Sequence, residues 1–116
     1  MTMRPRKTIT SAMIEMRNEY MMEISNLTGV PVDEIMGRKR CLNVSTARQL
    51  TMWALVTLCG YTDTEVGILM RRSHTTVSYA VTHVNGGYMG KLVEKYRVKL
   101  IEYSQLKKLN NERNAN

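Results

Sequence analysis

The chain has 116 residues, with 17 Lys and Arg against 10 Asp and Glu for a formal charge of +7, and 43% of it is apolar, including ten Met and one Trp but no Phe. That length fits one domain with a modest core and no need of staples, and the basic excess favours a polyanionic partner without choosing between DNA, RNA and an anionic membrane. Cys41 and Cys59 supply neither a disulfide framework nor a metal knuckle and suit a reducing cytoplasm; no apolar run approaches the roughly 20 residues of a bilayer span, so no membrane-spanning segment is expected, and a membrane is not an expected partner.

Charge is segregated along the chain. Residues 1–8, 37–60 and 91–116 are net basic, residues 9–36 net acidic, and residues 61–90 balance. Residues 1–9, with Pro5, read as a basic flexible arm; no apolar h-region follows it, so a secretory signal is not expected. A single helical domain is expected over residues 10–109. Its first helix starts at Thr10 or Ser11 and ends near Leu27, because Ala12, Met13, Met16, Tyr20, Ile24 and Leu27 recur at spacings of three and four. Gly29 can close it. Pro31 is tolerated in the first turn of a short element over residues 32–36, which offers Val32, Ile35 and Met36 to a core.

Residues 37–43 read as a basic loop around Arg38, Lys39 and Arg40. Ser45 is the expected N-cap of a third helix ending at Leu58 or Cys59. Ala47, Leu50, Thr51, Ala54, Leu55 and Leu58 form its inner stripe, Trp53 sits at the stripe's edge, and Gly60 is the stop. Next comes the clearest local signal. Thr62 and Glu65 have the spacing of a capping box, which predicts a short helix over residues 63–69. Met70, Arg71 and Arg72 turn, Ser73 caps, and a helix over residues 74–84 buries Val77, Ala80, Val81 and Val84. Asn85, Gly86 and Gly87 end it. A long last helix over residues 88–109 carries Leu92, Tyr96, Leu100, Tyr103 and Leu106 or Lys107 at near-heptad spacing, and residues 110–116 read as a frayed tail.

Two short helices separated by about three residues, over residues 62–84, match the build of a helix-turn-helix. A second helix that enters a DNA major groove needs short donors and acceptors on its outer face near its start. His74, Thr75, Ser78 and Tyr79 meet that need, while Arg71 and Arg72 in the turn can clamp phosphates. The same pattern leaves open a bland reading, in which these are ordinary helix-surface residues and the arginines solvate a loop.

A resemblance weighs on that choice. Gly37-Arg38-Lys39-Arg40, Arg48-Gln49-Leu50-Thr51-Met52, Thr64-Glu65-Val66-Gly67 and Arg72-Ser73-His74-Thr75-Thr76-Val77 occur in an order similar to that of the C-terminal DNA-binding domain of the bacterial replication initiator DnaA. The resemblance covers residues 28–84 and implies an all-α, compact fold with a helix-turn-helix, of DnaA C-terminal or Trp-repressor-like type, here followed by a long C-terminal helix. It implies double-stranded DNA as the partner, with a DnaA-box-like site and a role in replication or transcription control. On this basis Ser73, His74, Thr75 and Ser78 are the expected base-contacting residues. Arg38, Lys39, Arg40, Arg48, Arg71, Arg72 and Thr76 are the expected phosphate or minor-groove residues.

Three departures from the family pattern bear on specificity. Ser73 stands where the family has Asp, the turn before His74 is one residue shorter, and Ala47 replaces a Pro. A hydroxyl at position 73 is less selective for a cytosine N4 amine than a carboxylate. The chain also has no Gly-x-x-x-x-Gly-Lys-Thr/Ser loop, so ATP-controlled assembly is not expected of it alone, and a replication or regulatory protein is a further expected partner.

Catalysis is not expected. Glu15, Glu19 and Glu23 read as a solvated helix face, and no nucleophile–base pair can be placed by spacing. His83 reads as a packing or solvated histidine turned away from the groove; with His74 nine residues off and no third ligand, neither a metal nor another cofactor is expected. The rival class is a helical protein-interaction module built on the methionines and the last helix. For that helix, packing within one chain is favoured over dimerisation.

Overall fold

Six helices form the part of the chain described by the computed structural model, residues 9–87 and 90–114: α1 (Ser11–Thr28), α2 (Val32–Met36), α3 (Leu42–Thr57), α4 (Asp63–Met70), α5 (His74–Asn85) and α6 (Lys91–Asn114). The fold is all-α, as expected. The expected arm, apart from Ile9, and the expected start of the last helix at Tyr88 lie outside the described residues. In α1 the Thr10 hydroxyl accepts the Met13 N–H at 3.2 Å, which answers one of the donors a helix start leaves free. Gly29, at φ 80°, ends it in a backbone conformation that side chains adopt only with strain.

The axis of the fold is α3, on which each of the other five helices packs. Val44, Ala47, Leu50, Met52, Trp53, Ala54 and Leu55 are all buried along it. A helix enclosed on nearly every side needs no polar face, so its buried set is wider than the stripe expected from spacing. Trp53, expected at the stripe's edge, is 1% exposed. Its indole N–H donates to Asn85 Oδ1 at 2.9 Å, and the Arg97 guanidinium lies 5.4 Å from its ring centre. Burial of each large side chain of this kind is worth about 1.5–3 kcal/mol.

The start of α3 differs from expectation. Cys41, not Ser45, holds the cap position, without a side-chain bond, and the Ser45 N–H already donates to the Cys41 carbonyl at 2.9 Å inside the helix. The last helix differs from its expected stripe at its first position. Val93, Leu100 and Ser104 are buried and Tyr96 and Tyr103 half-buried, whereas Leu92 is exposed; of the Leu106 and Lys107 alternatives, Lys107 is half-buried and Leu106 exposed. A straight helix on a globular body drifts off a seven-residue repeat, which selects 93 over 92. Helix α6 also continues to Asn114, past the expected end at Leu109. A 2.6 Å ion pair from Lys107 to Glu19 ties it to α1.

Candidate nucleic-acid interface

Local chemistry sets the two helices of the turn motif. The capping box is present in full: the Glu65 N–H donates to Thr62 Oγ1 at 3.1 Å, and the Thr62 N–H donates to Glu65 Oε1 at 2.8 Å. Gly67 sits where α4 meets the turn, and a Cβ there would stand 2.6 Å from the Arg72 carbonyl oxygen. Only a glycine permits that approach. Arg71 closes α4 at φ 58°, the one non-glycine residue with positive φ among those described. Ser73 then caps α5, its hydroxyl accepting the Thr76 N–H at 3.2 Å and lying 2.9 Å from Thr76 Oγ1.

Burial of Val77, Ala80 and Val84 fixes the roll of α5. Ser73, His74, Thr75, Thr76, Ser78, Tyr79 and Thr82 are all exposed as a consequence. Each of the four residues expected to contact bases therefore stands on the open surface of the helix. Thr76 is exposed too, though its backbone N–H and hydroxyl are both engaged with Ser73.

The basic loop, residues 37–41, lies against the turn. Arg72 makes the link: one of its terminal nitrogens donates to the Gly37 carbonyl, and the other to the carbonyls of Met70 at 3.1 Å and Arg71 at 3.2 Å. Burial, reinforced by the charge of Arg38, lowers the Arg72 pKa. Arg38 and Arg40 are exposed and, like Arg71, have no ion-pair partner among the described residues. Lys39 pairs with Glu34 at 3.2 Å. A surface pair of this kind is weak, so Lys39 can exchange it for another anion.

Arg48 corrects the sequence reading. It is 7% exposed, and its guanidinium donates to the carbonyls of Ile35, Lys39 and Glu34, each at 2.9 Å. Burial first, then the charge of Arg72, lowers its pKa. A guanidinium enclosed in this way holds the end of α2 and the basic loop; it does not stand ready for a phosphate. Arg48 thus leaves the contact set and becomes the residue that shapes it.

A family model described as the bacterial dnaA protein helix-turn-helix matches residues 19–84 of the 116. The chain belongs to the bacterial DnaA helix-turn-helix family. The match runs from within α1 into the last turn of α5 and stops short of α6. No curated protein matches the chain. Within this DnaA-type helix-turn-helix, Arg71 takes the left-handed position through which α4 passes into α5 by way of only Arg71, Arg72 and Ser73.

Two features of this DnaA-type surface escape a reading of the sequence. Arg17 of α1 donates to the Leu69 carbonyl at 2.9 Å, at the end of α4, and its pKa is lowered by burial and by the charge of Arg71. Gln49 of α3 lies 2.9 Å, through Oε1, from Nδ1 of His83, whose ring stacks on Tyr79. His83 is therefore a packing residue on α5. Both contacts join residues far apart in the chain, and no local pattern announces them.

Proposed function

We propose that this chain is a sequence-specific double-stranded DNA-binding protein, with α5 in a major groove and the basic loop on the adjoining minor groove and phosphates. The observation that carries this reading is the tie from Arg72 to Gly37. It fastens the loop bearing Arg38, Lys39 and Arg40 to the turn that presents His74 and Thr75, so cationic and base-reading groups share one rigid surface. Preorganised contacts of both kinds are what site recognition needs, since phosphates set affinity and base edges set sequence. Membership of the DnaA helix-turn-helix family supports a DnaA-box-like site and a role in replication or transcription control. Ser73, already engaged as the cap, leaves that site open to differ from the family's.

Random-site selection on duplex DNA, followed by salt titration of the selected site, tests this. Alanine at His74 or Thr75 is expected to cost about 1–3 kcal/mol on the selected duplex and much less on a scrambled one. Neutralising Arg38, Lys39 and Arg40 is expected to weaken both duplexes and to lower the salt slope by about 0.9 per lost phosphate contact. Failure to enrich any site, or an unchanged slope, refutes the proposal. Ser73→Asp keeps an N-cap oxygen and is expected to move preference toward a base pair presenting a cytosine amine.

A further inference from the structure

The outward face of α5 carries Thr75, Ser78, Tyr79 and Thr82, and Tyr79 is its only aromatic residue, 61% exposed. An exposed aromatic ring normally has rotamer freedom to lose on binding. Here the ring is already held. It stacks on His83 one turn along the same helix, with centroids 5.3 Å apart and planes 26° from parallel. His83 in turn meets Gln49 of α3 at 2.9 Å. Gln49 follows Arg48, which three carbonyls lock in place. A chain of contacts thus runs from the fixed centre of the domain to a ring in the open.

Position adds to this. Tyr79 lies four residues beyond Thr75, roughly 6 Å along the helix axis, which is about two base steps. The first turn of a recognition helix enters the groove most deeply, so a residue one turn later reaches past the nearest base pair only with a long side chain. On this face Ser78 and Thr82 are short, and Tyr79 has the reach. A fixed apolar ring is suited to the C5 methyl of thymine, the one apolar group a base presents in the major groove.

We propose that Tyr79 is a base-reading residue, its ring set against a thymine methyl beyond the base pairs under His74 and Thr75, and that His83 and Gln49 are positioning residues that hold the ring there. This rests on the DNA-binding reading above. The test is a cycle between protein and DNA. Wild type, Tyr79→Ala and Tyr79→Phe are each titrated on the selected duplex and on duplexes in which single thymines are replaced by deoxyuridine, which removes only the methyl. Tyr79→Ala is expected to lose roughly tenfold in affinity on the selected site, and one thymine-to-uracil change is expected to weaken wild type and Tyr79→Phe but not Tyr79→Ala. Gln49→Leu is expected to show a smaller loss in the same direction, with an unchanged thermal unfolding midpoint. If Tyr79→Ala weakens selected and scrambled duplexes alike and no uracil substitution distinguishes it, Tyr79 touches only backbone and the inference fails while DNA binding stands. If Gln49→Leu binds as wild type does, the positioning role fails. If wild type selects no site at all, the DNA-binding reading and this inference fall together.

Discussion

Around the start of α3, arginines hold backbone carbonyls; around its end, rings and aliphatic chains pack with few polar ties. At the first place Arg48 and Arg72 bind the carbonyls of Glu34, Ile35, Lys39, Gly37, Met70 and Arg71, and so shape a loop and a turn that have little apolar surface of their own. At the second, Tyr20 meets Tyr103 edge to face at 5.4 Å, and Met21, Ile24, Leu55 and Leu100 close the seam among α1, α3 and α6. Directional bonds define a shape; apolar burial supplies stability without direction. The side proposed to face DNA is built by the former, which fits a surface whose geometry has to match another molecule.

The largest effect expected from this comparison follows Arg48→Lys. Lysine keeps the charge, but a single ammonium group cannot serve carbonyls of residues 34, 35 and 39 at once. Buried carbonyls left without donors are expected to cost about 3 kcal/mol in urea unfolding. A variant with native stability and only a lowered salt slope on DNA would return Arg48 to the phosphate set.

Next in size is Gly67→Ala. The added methyl meets a backbone oxygen at 2.6 Å, so either α4 or the turn has to shift. Overpacking of this kind is expected to cost about 2 kcal/mol. Because the displaced atom belongs to Arg72, selected-site affinity is expected to fall more than the loss of folded protein accounts for. Affinity measured well below the unfolding temperature separates the two effects, and native affinity there would show that the turn's position is not critical.

What could be read from the sequence divides along the same line. The Thr62–Glu65 box, the Ser73 cap, the Gly29 stop and the roll of α5 all follow from neighbours within one helical turn, and the structure has them where expected. Ser45 misled because the start of α3 is set at a distance: Arg48 pulls residues 34–39 into place, and the helix begins at Leu42. The same reach hid the true role of Arg48, since buried and exposed arginines look alike in a sequence. Leu92 misled for another reason. Which side of α6 is covered depends on the body it lies against, and only Val93, Leu100 and Ser104 meet that body squarely.

The smallest expected effect belongs to the apolar seam and appears only in alkali. Burial pushes the Tyr20 hydroxyl up from 10.0 to about 12 and the Cys59 thiol up from 9.0 to about 11. Both folded-state values are raised, so the fold favours the protonated, neutral forms. Their contribution is fully present below pH 9 and drains away as the pH rises through about 11 for Cys59 and about 12 for Tyr20. Urea unfolding at a series of pH values is therefore expected to show stability falling above pH 9. Cys59→Ala is expected to flatten the lower part of that fall. Tyr20→Phe is expected to flatten the upper part. An alkaline loss that neither substitution alters would mean that Tyr20 and Cys59 do not carry it.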